Sequence, residues 1–341
     1  MAAEAVQAGP HLSGARRRPF AVRNARLLLA YAILITLLVI YHQKSPRFTE
    51  REARSIANQG MTLSIVGLGQ TIVVLTGGID LSVGPMVSLS NSTAATLGDK
   101  EHPNQGLALG IAAALAIGAA GGLVNGMLVA YGRLQPIIVT LATGYIYSGI
   151  ALRVRPNPGG YVPSSKAPFN YVDFLTGLYR DFFPRALFLL AALVILWFIF
   201  RRLRLCTRIF AIGSSQGAAY MSGVDVARTK VAAYTLCGMS AALAGLFFTA
   251  QTASGDAIAG GVFTLNSIAA VVLGGAALSG GSGSFIGTIA GAYTLAIIPS
   301  VLYFFKVSPF YQSFYQGLIL LASVSLGALG ILRVRNRMER L

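Results

Sequence analysis

The sequence Thr76-Gly77-Gly78-Ile79-Asp80-Leu81-Ser82-Val83-Gly84 lies between two long apolar segments and sets a carboxylate inside hydrophobic sequence. An ionised carboxylate at bilayer depth is costly, so a buried Asp takes a partner, a water-filled cavity or a helix end. The glycines and Ser82 predict a break between two helices. A free helix N-terminus offers unpaired N–H groups and a partial positive charge, and Asp80 can accept from them. Gly77, Gly78, Asp80, Ser82 and Gly84 are therefore the candidate break motif; a plain structural cap is the alternative.

The apolar runs also carry neutral hydrogen-bonding groups: Gln70, Asn91, Asn125, Thr140, Thr143, Tyr145, Gln251, Asn266 and Tyr293. Such groups suit a path for a neutral polar solute, whose hydroxyls need new partners on leaving water. Each also suits a helix–helix hydrogen bond. Asn91, Asn125, Thr143 and Asn266 are the candidate pathway residues.

Other chemistries lack their residues. There is no Gly-Lys-Ser/Thr, so the chain alone should not hydrolyse ATP. There is no His-Glu-x-x-His and no plausible Ser-His-Asp set. His11, His42 and His102 fall in tails or loops, and no metal or cofactor is expected. Cys206 and Cys237 give no disulfide framework. No chain of buried carboxylates, histidines and lysines is present to support ion coupling.

The elements that must position these groups are read from hydropathy. Of 341 residues, 55% are hydrophobic and 11% charged, against about 25% charged in soluble domains; mean hydropathy is +0.66. Apolar runs recur at 27–41, 60–76, 82–98, 106–131, 136–153, 186–200, 231–251, 265–280, 285–304 and 311–332. Runs of this kind predict an all-α, polytopic membrane bundle of about ten helices. One transmembrane domain covers 27–332, between tails 1–26 and 333–341.

The net charge of +16 does not point to nucleic acid, because the charges cluster at the ends of apolar runs. Arg16, Arg17, Arg18, Arg23 and Arg26 precede the first run. A twin-arginine export signal is the competing reading, but no small-residue cleavage site follows. With the N-terminus inside, 16 of the 27 Lys and Arg fall on cytosolic segments, and both termini come out cytosolic.

Two loops exceed mere connections. The outer loop 154–185 is rich in Pro and Gly and cannot be one helix. The cytosolic loop 201–230 begins Arg201-Arg202-Leu203-Arg204 and contains a helix-compatible stretch, Gln216 to Met221. That stretch reads as a docking element for a cytosolic protein, or as a helix lying on lipid headgroups. Gly118, Gly122 and Gly126, and Gly287 and Gly291, repeat every four residues and give flat faces for close helix packing. Gly77-Gly78-x-x-Leu81-Ser82-x-Gly84 is echoed by Gly274-Gly275-x-x-Leu278-Ser279-x-Gly281, without the acid. The echo is either an internal repeat of the kind transporters use or a coincidence in a chain with 39 glycines.

The stretch Gly77 to Gly84 is joined by Gln135-Pro136-Ile137-Ile138-Val139-Thr140-Leu141-Ala142-Thr143-Gly144, by Ile268-Ala269-Ala270-Val271-Val272-Leu273-Gly274-Gly275 and by Gly283-Ser284-Phe285-Ile286-Gly287-Thr288. In this order the segments resemble the permease subunits of bacterial ABC importers for monosaccharides. That ribose-type branch is related more distantly to branched-chain amino acid permeases. The resemblance covers about residues 56–335.

It implies import by alternating access across a bacterial inner membrane. It also implies a second permease chain, as a homodimer, a separate cytosolic ABC ATPase and a periplasmic sugar-binding protein. The segment from Ala211-Ile212-Gly213 through Ala218-Ala219 to Ser222-Gly223-Val224 is similar to the family's coupling segment, with Gly213, Ala218, Ala219 and Gly223 as its candidate residues. ATP binding in the partner would act through loop 208–228. Ser215 and Gly217 stand where the family usually carries Asn and Glu, and Thr264 and Asn266 stand where it carries acids. Rival readings are a nucleoside, sugar-like signal or amino acid as cargo, an ion-coupled secondary transporter, and a non-transporting scaffold.

Overall fold

The structure, a computed structural model, describes residues 25–45, 49–97, 103–159, 171–180 and 183–308, with scattered positions from 310 to 321. The N-terminal arginines before residue 25, His11, His102, Pro163, Pro168, the C-terminal tail and most of the run 311–332 lie outside the described residues.

The chain is helical, as the hydropathy pattern requires. Its helices are α1 (Ala25–Lys44), α2 (Glu50–Leu75), α3 (Val83–Leu97), α4 (Pro103–Ala130), α5 (Pro136–Val154), α6 (Tyr171–Thr176), α7 (Arg185–Phe200), α8 (Arg204–Ser214), α9 (Gln216–Met221), α10 (Val226–Thr252), α11 (Val262–Leu273) and α12 (Phe285–Phe304). A 3-10 turn at Ala259–Gly261 leads into α11. The strands β1 (Leu178–Tyr179) and β2 (Phe183–Pro184) pair antiparallel after α6.

Among the described residues, five helices are long and apolar enough to cross a membrane: α1, α4, α5, α10 and α12. A sixth arises if α7 and α8, bent by 76°, count as one span. Helix α2 falls outside this group because Ser, Thr, Asn, Gln and charged residues dilute its apolar content. It is the enclosed helix of the bundle, buried almost continuously from Ala57 to Leu75. Lipid does not reach those polar groups, so hydropathy understates how it is accommodated.

Helix α2 begins well before the apolar run at 60. The Glu52 carboxylate reaches back to the Thr49 N–H at 3.1 Å and accepts from Ser45 Oγ at 2.7 Å. This reciprocal N-terminal arrangement starts the helix among charges. Pro136 opens α5, where its missing N–H costs nothing. Asp225 caps α10 by accepting from the Arg228 N–H at 2.9 Å.

Small residues set the packing. Gly118, Gly122 and Gly126 lie against α10: a Cβ at Gly122 would stand 2.3 Å from the Tyr234 carbonyl oxygen, and one at Gly126 2.7 Å from Val231 Cα. Gly287 and Gly291 similarly bring α12 onto Gly274 and Ala270. The expected run 265–280 is shorter as a helix. It ends at Leu273, because Gly275 takes a left-handed φ of +92° and turns the chain away.

Candidate functional site

Helix α2 ends at Leu75, and Gly77, at φ +80°, reverses the chain. The Gly77 N–H bonds to Val74 O at 2.9 Å and the Gly78 N–H to Val73 O at 3.3 Å, which satisfies carbonyls of the last turn. Five residues later α3 begins. Asp80 is 1% exposed. One of its carboxylate oxygens accepts from the Ser82 N–H at 2.9 Å and from Ser82 Oγ at 2.6 Å. Asn125 Nδ2 donates to Ser82 Oγ at 2.8 Å. The Tyr234 hydroxyl of α10 packs on Gly78, where a Cβ would stand 2.5 Å from it. Thr140 Oγ1 accepts from the Leu81 N–H at 3.0 Å. The break is thus held from α4, α5 and α10 together.

Its depth follows from α10. Tyr234 lies eight residues beyond Val226, about 12 Å along the helix. Helix α3 has 15 residues, about 22 Å, short of a bilayer core of about 30 Å. The segment after α10 descends beside it: Asn91 Oδ1 accepts from the Asp256 N–H at 2.6 Å, and Gly260 N–H donates to Ser88 Oγ at 2.8 Å. Gly84 permits the contact, since a Cβ there would stand 2.2 Å from Thr264 Oγ1 and 2.7 Å from the Gly260 carbonyl oxygen.

The pathway candidates separate spatially. Asn125 joins the break. Asn91 donates to Thr249 Oγ1 at 2.8 Å and to the Ser254 carbonyl at 2.9 Å, tying α3 to the end of α10. Thr143 is buried and donates to its own helix at Val139 O, 3.1 Å. Asn266 is half-buried on α11. Beside the break, Leu81, Pro85, Leu141, Tyr145, Ser148 and Thr264 line a groove of about 220 Å³. Tyr234 and Ser148 were not singled out from the sequence, and Cys237 and Thr264, though named there, were given no place at the break. The three-residue spacing of Tyr234 and Cys237, with Gly238 and Ala241 beside them, marks one inward face of α10 and was the available signal.

The coupling candidates fall on two helices. Gly213 lies in α8, where a Cβ would stand 1.9 Å from the Leu75 carbonyl oxygen and 2.3 Å from Gly281 N. Gly281 N–H itself donates to Leu75 O at 3.1 Å. Ala218 and Ala219 lie in α9, and Ala219 is buried. Gly223, at φ +78°, ends α9. Tyr220 and Met221 project from it, 70% and 86% exposed. Helix α8 was not read from the sequence at all; its arginine-rich start resembles a loop flank.

The glycine echo has a structural counterpart shifted by one residue. Gly275 N–H bonds to Val272 O and Ala276 N–H to Val271 O, repeating the pattern of Gly77 and Gly78. The two loops meet, with a Cβ at Gly280 only 2.8 Å from Gly77 N.

Apolar helices enclosing a broken, polar-lined element at depth define a polytopic membrane protein of the permease class. The chain belongs to the family described as branched-chain amino acid transport system / permease component, whose pattern matches residues 53–324. It is 34% identical to the ribose import permease of Escherichia coli K12 over 297 residues, 85% of this chain and 90% of that one. The ribose import permease of Bacillus subtilis is 34% identical over 300 residues, 86% and 90% of the two chains. The galactose/methyl galactoside import permease of Haemophilus influenzae is 32% identical over 313 residues, 88% and 93%. No solved structure matches the chain.

Proposed function

We propose that the chain is the membrane-spanning subunit of an ATP-driven importer that carries a monosaccharide into the bacterial cell by alternating access. Similarity to ribose and galactose import permeases over about nine-tenths of their length carries this reading. Among the described residues no Lys or Arg is buried, which favours a neutral cargo over an amino acid carboxylate.

In this reading ten spans place both termini, α8 and α9 in the cytosol. A separate ATPase docks on the segment from Gly213 to Gly223, and the outer loop 154–185 meets a sugar-binding protein. The groove between the break and α5 is the sugar's path. A second copy of the chain covers it by packing on the apolar face of α5, where Ile137, Ile138, Leu141 and Ile146 are exposed. Tyr145 offers an aromatic face, and Ser148 and Thr264 offer hydroxyls.

The test is purification from native membranes in mild detergent with mass spectrometry of companions, followed by uptake in vesicles. A stoichiometric ATPase and ATP-dependent sugar uptake support the reading. Uptake driven by an ion gradient without any ATPase overturns it.

A further inference from the structure

We propose that the end of α2 opposite the break carries a landing site for a neutral polyhydroxyl ligand, a monosaccharide. This site is separate from the groove beside Asp80, and the proposal rests on the sugar-import reading. Arg51, Arg54, Asn58 and Gln59 of α2, Thr176 of α6 and Gln251 of α10 line a recess of about 430 Å³, within the roughly 300–1,000 Å³ typical of ligand pockets.

Asn58 decides the chemistry. It is 8% exposed. Its Nδ2 donates to the Thr176 carbonyl at 3.0 Å. A flipped amide would set oxygen against oxygen there, so the carbonyl fixes the orientation. The other atom, Oδ1, is buried and has no partner among the described residues. A buried acceptor without a donor is costly, so a ligand that offers an O–H or N–H is favoured here.

The remaining groups ask for the opposite. Arg54 Nε donates to the Thr176 carbonyl at 2.5 Å, which anchors the guanidinium and leaves its fork for a ligand acceptor. Arg51 adds a second fork from an exposed position. Gln251 is held through Oε1, which accepts from Thr62 Oγ1 at 2.8 Å, and its Nε2 is a further donor. A carboxylate would satisfy the arginines but face Asn58 Oδ1 with another acceptor. A cation would satisfy Asn58 but meet two guanidiniums. Vicinal hydroxyls donate and accept at neighbouring atoms and satisfy both sides; a zwitterionic amino acid would do so too, and the sugar-import reading selects the hydroxyls.

The experiment is saturation-transfer NMR of D-ribose, D-allose and D-galactose on the full chain in lipid nanodiscs, without a binding protein. Wild type, Asn58→Leu and the exposed-site variant Arg51→Gln are compared. The result expected is transfer to at least one sugar, with affinity roughly five-fold weaker in each variant. Equal binding by all three proteins overturns the site. So does an absence of binding while the assembled transporter imports one of these sugars. Normal sugar binding by Asn58→Leu also overturns it, whatever Arg51→Gln does. Failure of the assembled transporter to import any of the three sugars is a failure of the underlying reading, and is separately visible.

Discussion

At the scale of residues, Asp80 and Asn125 hold one hydroxyl between them. The Asp80 carboxylate accepts from Ser82 Oγ while Ser82 Oγ accepts from Asn125. Removing the carboxylate leaves a buried N–H and O–H without their acceptor, a penalty of about 1–3 kcal/mol. Asp80→Ala is expected to abolish uptake while the protein still reaches the membrane, measured by vesicle uptake beside an immunoblot of the membrane fraction. Asp80→Asn keeps an acceptor and is expected to retain more uptake than Asp80→Ala; equal activities would mean that Asp80 does not organise the break. Gly84→Ala forces the start of α3 away from Thr264 and Gly260, which overpacks the contact by about 1–3 kcal/mol. A lowered Tm in detergent checks it.

Among elements, the contact of α4 with α10 depends on absent side chains. Gly122→Leu is expected to separate these helices, with loss of monodisperse protein on size-exclusion chromatography. The outcome also shows what sequence can display. Gly118, Gly122 and Gly126 were legible as a packing face because the period of four is local. Gln216 to Met221 was legible as a helix for the same reason. The start of α2 was not, although Thr49-x-x-Glu52 carries an N-terminal signal; charged residues there outweighed it in a hydropathy reading. The end of α11 was misplaced because Val271-Val272-Leu273 continues into small apolar residues, and only the left-handed Gly275 stops it. The grouping of Asn125 with Asp80, and the removal of Asn91 to the end of α10, depends on long-range packing that no local spacing encodes.

For the whole molecule, orientation is the testable property. Both native cysteines are buried, so a thiol probe meets little background. Met221→Cys, on the exposed tip of α9, is expected to react with an impermeant maleimide in inside-out vesicles and not in right-side-out ones. The reverse pattern would invert the topology and move the α2 recess to the cytosol.

The seat of Gly213 has a mechanical meaning. Most helix contacts pass through side chains, which take up small displacements by changing rotamer. Here backbone meets backbone: Gly213 lies directly on Leu75 O and Gly281 N, and Gly280 lies directly on Gly77. There are no torsions at this joint to act as a spring. A tilt of α8 is handed undamped to the last turn of α2 and the mouth of the loop that carries Asp80, so this corner works as a rigid linkage, like the glycine contacts of α4 with α10 and of α11 with α12.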